Sequence, residues 1–301
     1  MKMFRLFMKM ALVLVPFSLL AQDKASTTST YITPYAGVMM QGAANTEQTG
    51  TANFRGSYNA SGTDFNLKVR VTGESESTMG YTYGFTYGTM WNKEGRNLNT
   101  GFEVDVFHTN TGHESKLANP NTQEITNVVG PNSAALAASI ATNFAPGLHS
   151  FANSMTRKSW NAAANYIVSY DISPDFSVNA GLGLGFTAIT LDEAKSLQST
   201  PATAGQAFEM TTENGGGPTN HFNSRTFASD NVMFTQFRLG SKYKVAQNVA
   251  IRFDARAMSV GESTFNFGST KYLDHAPTDN WTYMIGKNTA YTITLGLCVN
   301  M

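Results

Sequence analysis

The chain has 301 residues with 21 basic and 21 acidic side chains, a formal net charge of zero, and one cysteine, Cys298. Balanced charge gives no long-range attraction for nucleic acid or acidic lipid, and a lone cysteine excludes an intrachain disulfide framework. After residue 20 no apolar stretch reaches the roughly 20 residues of a spanning helix, so any passage through a membrane must be made by strands.

At the start, Lys2, Arg5 and Lys9 precede the apolar run Met10 to Leu20, which ends at Ala21-Gln22-Asp23. A basic start, a short apolar core and a small residue at its end describe a secretory signal peptide. The expected organisation is therefore a signal peptide at 1–21, a short periplasmic segment at 22–30 and a barrel domain at 31–301.

Alternation with period two then marks eight segments, each suited to the roughly 9–11 residues of a tilted membrane strand. The first is Tyr31 to Met40. A second, about 78–91, sets Tyr81, Tyr83, Phe85 and Tyr87 against Thr82, Gly84, Thr86 and Gly88. After the turn Lys93-Glu94-Gly95-Arg96, the third, about 97–108, sets Phe102, Val104 and Val106 against Gly101, Glu103 and Asp105. The fourth and fifth, about 160–171 and 176–188, flank the turn Ser173-Pro174-Asp175. The sixth and seventh fill 235–257 around Ala246-Gln247-Asn248, and the eighth runs from Tyr291 to Val299. Short turns follow strands two, four and six, while long polar connections occupy about 41–77, 109–159, 189–231 and 259–288. Tight turns on one side and long loops on the other are the signature of an outer-membrane barrel.

The expected fold is all-β: a closed, antiparallel transmembrane β-barrel, an up-and-down meander of eight strands with long extracellular loops. Closure removes free strand edges, which suits an exported chain without disulfides. Within the first loop, Phe65, Leu67, Val69 and Val71 also alternate, and Phe54 to Tyr58 could pair with them. Two readings follow: a hairpin extending strands one and two above the membrane, or a ten-stranded barrel. The hairpin is preferred, because Thr51 to Ala60 has too little apolar alternation for a lipid face. In the second loop, the Ala-rich stretch from Ser133 to Ala152 suggests a short helix, and Asn214-Gly215-Gly216-Gly217-Pro218 a flexible tip.

Several stretches together resemble the small outer-membrane β-barrels of the opacity and surface-antigen type. They are Tyr35-Ala36-Gly37-Val38, the Gly/aromatic strand Tyr81 to Tyr87, the acidic strand Gly101 to Asp105, the Gly-alternating strand Ala180 to Phe186 and the apolar alternation to the C-terminus. That resemblance implies a non-enzymatic structural or surface-recognition role. It also implies partners: outer-membrane lipid or lipopolysaccharide, the barrel-assembly machinery acting on the last strand, and an extracellular ligand on the loops. In that family the last residue is usually aromatic; here it is Met301.

The same alternation points Glu103, Asp105, Asp171, Arg238, Lys242, Lys244, Arg252, Asp254 and Arg256 into the lumen. An eight-stranded interior is just wide enough for side chains to fill, so charges there must pair. A salt-bridged plug is the preferred reading; a narrow charged pore, and so a small diffusion channel, is the alternative. Tyr81, Trp91, Trp160, Tyr170, Phe176, Tyr243 and Tyr291 are expected in aromatic girdles at the two interfaces.

His108, His113, His149, His221 and His275 all fall at the outer rim or in outer loops, where bases or metal ligands of a loop-based hydrolase would sit. No two share ligand spacing on one element, and no Gly-x-Ser-x-Gly elbow occurs, so neither a catalytic nor a metal site is expected. Gly181-x-Gly183-x-Gly185 lies within a strand with no following helix, which argues against a nucleotide cofactor and for small inward residues.

Overall fold

Period-two alternation becomes hydrogen-bonded ladder over most of the chain in the computed structural model. It describes residues 26–56, 62–93, 96–143, 145–148, 150–201, 208–210, 220–270 and 276–301. The expected signal peptide, residues 22–25, His149, His275 and the glycine-rich tip lie outside these residues.

In chain order the elements are β1 (Ser26–Gln41), β2 (Asn45–Phe54), β3 (Asp64–Ser75), β4 (Thr78–Lys93), β5 (Leu98–Ala118), β6 (Glu124–Val129) and α1 (Ser133–Asn143). There follow β7 (Ser150–Ser173), β8 (Phe176–Pro201), β9 (Phe208–Met210), β10 (Ala228–Ala246), β11 (Val249–Val260), β12 (Ser263–Thr270), β13 (Thr278–Ile285) and β14 (Asn288–Asn300).

Eight of these strands close a ring. Antiparallel ladders join β1 to β4, β4 to β5, β5 to β7, β7 to β8, β8 to β10, β10 to β11, β11 to β14 and β14 back to β1. All eight expected strands are in this ring, and the ten-stranded alternative is not realised. At one end the strands reverse tightly, as between Ser173 and Phe176.

Beyond the other end the ring continues as a second storey, a β-tower. Strand β2 carries β1 onward, and β3, β12 and β13 do the same for β4, β11 and β14. Their pairing repeats the order below, with β2 between β13 and β3, and β12 beside β13. At the breaks the chain runs on through two or three residues, and isolated backbone bonds hold neighbouring strands together: Gly42 N to Thr289 O, Gly286 N to Asn45 O, Ser75 N to Ala44 O and Glu76 N to Glu114 O at 2.8 Å, and Gly261 N to Met233 O at 3.0 Å. Strands β5, β7 and β8 run through both storeys unbroken, pairing from Leu98–Tyr170 to Ala118–Ser150 and on to Ser199.

The expected hairpin in 41–77 is therefore present, but the four long connections are largely strand. Backbone groups held away from water need partners, and the extended ladders supply them. Helix α1 occupies the Ala-rich stretch and places Leu136 in the tower core.

The two storeys reverse their chemistry on the same alternation. In the lower storey Tyr87, Leu182, Leu184, Leu239, Ile293 and Leu295 face outward and are about half exposed or more. In the tower, Lys68, Arg70, Glu114 and Lys116 face outward, whereas Phe65, Leu67, Phe151, Phe265, Trp281 and Tyr283 are buried inside. One storey is built for lipid outside, the other for water outside. Along β5 the inward positions change from Asn99, Glu103 and Asp105 to Phe107 and Leu117 without any break in the strand.

Candidate functional site

Three layers fill the barrel interior. At the short-turn end lies a cavity of about 330 Å³, lined by Ser29, Asn92, Asn99, Asp171, Lys242 and Arg252 among others. Its ceiling is the second layer, a cluster of six charges. Glu103, Asp105 and Asp254 face Arg238, Arg252 and Arg256, all at 3% exposure or less.

Each carboxylate there has at least two partners. Glu103 accepts from Tyr31 Oη and, at 2.6 Å, from Arg252 Nη1, and it is ion-paired with Arg238 Nη2. Asp254 Oδ2 meets Arg252 Nε at 2.8 Å and its Oδ1 lies 3.6 Å from Arg238 Nε. Asp105 accepts from Arg256 Nη1, from Tyr35 Oη at 2.7 Å and from Thr86 Oγ1 at 3.1 Å. The Arg256 guanidinium also lies 4.7 Å from the Tyr35 ring and 5.1 Å from that of Phe107. Inward glycines make room for neighbouring side chains: a Cβ at Gly181 would meet Ile167, at Gly183 Asn165 and at Gly185 Phe234.

Six of the nine charges expected in the lumen thus come together, and three do not. Asp171 sits at the cavity mouth and accepts from Asn99 Nδ2 at 2.8 Å, while Lys242 lies 5.8 Å from the Tyr31 ring. Lys244 is exposed at the short-turn rim, two residues before β10 ends, where it pairs with Ala250.

Above the charges comes the third layer, which is apolar. Phe107 and Phe234 meet edge to face at 6.3 Å, with Met39, Met258 and Ile189 in the same buried cluster.

On the outer surface, Tyr81, Trp160 and Tyr291 stand near the break between storeys, and Trp91, Tyr170, Phe176 and Tyr243 near the short turns. From Trp160 to Tyr170 the strand climbs about 33 Å, and at a tilt near 45° this spans roughly 23 Å, close to the apolar band of outer-membrane barrels. A closed eight-stranded ring carrying such a band settles the architecture. The fold is that of a small outer-membrane β-barrel.

No protein-family model matches the chain, and no curated protein matches it. Among solved structures it is similar to the surface protein NspA of Neisseria, at 11% identity over 91% of this chain and 98% of that one, with a TM-score of 0.34. The outer membrane protein OprG of Pseudomonas aeruginosa follows at 10% identity, 91% and 96% coverage and 0.38. The outer membrane protease OmpT of Escherichia coli gives 7%, 93% and 99%, and 0.37. Likeness at this level carries nothing about activity, and the barrel assignment rests on the ring and the belt.

The barrel places the described histidines in two different settings. His108 lies on the outward surface, its ring 5.1 Å from Tyr83 and 5.0 Å from Trp160. His113 and His221 are buried inside the tower: His113 because β5 continues through it, His221 on a turn of the expected loop whose backbone is held to Ser196. His113 Nε2 and Ser115 Oγ each lie 2.8 Å from Tyr283 Oη. His221 Nδ1 is 3.2 Å from Ser196 O, and its ring meets Phe151 at 5.0 Å and Trp281 at 5.9 Å. Nearby, Asn153 donates to Gln48 at 2.9 Å and Gln48 to Ser196 at 3.0 Å.

Burial, reinforced by the Arg157 charge, lowers the His113 pKa to about 3, so its ring is neutral. Burial likewise pushes the Tyr283 hydroxyl up to about 12. Among the described residues no group of three or more His, Cys, Asp or Glu side chains is arranged to hold a metal. This tower interior was not legible as a site, since its polar residues sit at inward positions of strands whose outward residues are polar too.

Proposed function

We propose that the chain is a non-conducting outer-membrane barrel that holds a rigid β-tower at the cell surface, with a structural or recognition role and no catalysis. The observation that carries this reading is that the lumen is shut twice, by a charge-balanced cluster at membrane level and by an apolar core above it. Packed interiors leave no water path, and ions do not cross a layer of buried aromatic rings.

On this reading the signal peptide ending at Ala21 is removed on export, and the barrel-assembly machinery acts on β14. Outer-membrane lipid and lipopolysaccharide surround the aromatic belt, and a ligand would meet the polar outside of the tower. Planar-bilayer recording of the detergent-refolded protein tests it. Silent membranes are expected; reproducible, ion-selective steps would overturn it and favour a diffusion channel.

A further inference from the structure

The buried charges of the two storeys differ in their balance. At membrane level three guanidinium groups face three carboxylates. Those three, Glu103, Asp105 and Asp254, are the only buried carboxylates among the described residues. The tower holds one more buried guanidinium, that of Arg157, at 5% exposure.

Arg157 lies on β7 above Trp160, paired with Thr111 of β5 on one side and Leu191 of β8 on the other, at an inward position of the strand. The surrounding groups give it no counter-charge. Its neighbour Lys158 points outward and takes Asp192 at 2.9 Å. Tyr283 and His113, the titratable groups that feel the Arg157 charge, are a protonated phenol and a neutral imidazole. None of the ion pairs among the described residues includes Arg157.

A buried cation without a partner costs several kcal/mol, and a native interior does not leave that cost standing. Guanidinium presents a planar fork of donors that matches two oxygens of one acceptor. On the same inward face of β5, His113 and Ser115 stand two and four residues on from Thr111, the partner of Arg157, and both meet the Tyr283 hydroxyl at 2.8 Å, so this set can turn a donor toward an oxyanion.

We propose that the tower interior is an anion site, in which a small oxyanion sits against the Arg157 guanidinium beside Tyr283, Ser115 and His113. The anion completes the charge balance that the tower's own side chains leave open, and it joins β5, β7 and β13 through one contact. A carboxylate and a phosphate share the chemistry that the site reads.

Because Arg157 is buried, the anion must be offered during folding. The full chain is refolded from urea into detergent micelles with acetate, phosphate or sulfate, the ionic strength being matched with a bulky morpholine sulfonate. The expected result is a saturable rise in the urea midpoint with at least one small oxyanion. That rise disappears in Arg157→Gln and returns in Arg157→Lys with an affinity weaker by about tenfold, the effect of 1.4 kcal/mol. Identical responses of wild type and Arg157→Gln to every anion would overturn the proposal.

Should Arg157→Gln fail to fold, native mass spectrometry of the wild-type protein decides. A one-to-one adduct with the stabilising anion supports the site, and bare protein in every anion overturns it.

Discussion

Replacing Glu103 with Gln removes one of the three carboxylates of the lumen and leaves Arg238 and Arg252 sharing a neutral amide. The cluster then holds three cations against two anions, in an interior where Glu103 is only 1% exposed. Removing one member of a buried ion pair costs about 3–5 kcal/mol, chiefly because the charge left behind stays desolvated. The amide still accepts from Tyr31, which places the expected loss near the lower end, about 3 kcal/mol. With an m value of about 1–3 kcal/mol per molar urea, that loss lowers the urea midpoint by roughly 1–3 M. Unfolding in micelles, followed by tryptophan fluorescence and by heat-modifiable gel mobility, measures the shift. Adding Arg238→Met to Glu103→Gln returns the cluster to two against two and should recover part of the loss. An unchanged midpoint in Glu103→Gln, or a double variant less stable than the single, would refute the view that charge balance holds the lumen together.

Three further outcomes follow from the tower and the lumen wall. Trp281→Ala opens a cavity beside Phe151 and His221 and should cost about 3–5 kcal/mol of stability, read as a lower urea midpoint. Gly88→Val drives a side chain into the Tyr31 ring and displaces it from Glu103, with an expected loss of about 1–3 kcal/mol in the same assay. His113 has a folded pKa of about 3, below its unfolded value, so the unfolded chain takes up the proton first. Stability is therefore greatest above about pH 6.5 and falls by roughly 1.4 kcal/mol per unit down to about pH 3. Urea midpoints measured across that range should decline more gently in His113→Gln; parallel slopes would remove His113 from the account.

The lower storey was legible because membrane strands write their two faces in opposite chemistry. Tyr81 to Tyr87 and Phe176 to Phe186 state an apolar outside, and Glu103, Arg238 and Asp254 state a polar inside, so strand, face and lumen could be read together. The tower obscured itself in three ways. Its alternation is inverted, so Lys68 and Arg70 form a solvent face on the side where the strands below turn apolar residues outward. Its strands on the β1 and β14 side are short and interrupted near Gly42, Gly261 and Gly286, which breaks the period. Thr109 to Ser115 on β5, and Asn153 to Ser159 on β7 apart from Met155, are polar on both faces, and no local pattern separates such a segment from a loop. Asp171, Lys242 and Lys244 had the right parity for the lumen, but parity does not give depth: the first two line the cavity at the short-turn end and Lys244 sits at the rim.

The unbroken run of β5, β7 and β8 through both storeys has a mechanical consequence. A pull on the tower is carried into the membrane ring along three continuous backbones whose ladders lie side by side. The load falls on many hydrogen bonds at once, in shear. On the opposite side, β1, β4, β11 and β14 pass into their upper partners through links of two or three residues, at 42–44, 76–77, 261–262 and 286–287, where the ladder is interrupted and neighbouring strands are held by isolated bonds such as Gly42 N to Thr289 O and Gly261 N to Met233 O. The protein is a mast stayed along one flank by uninterrupted ladders and jointed along the other, where each wall strand is interrupted once.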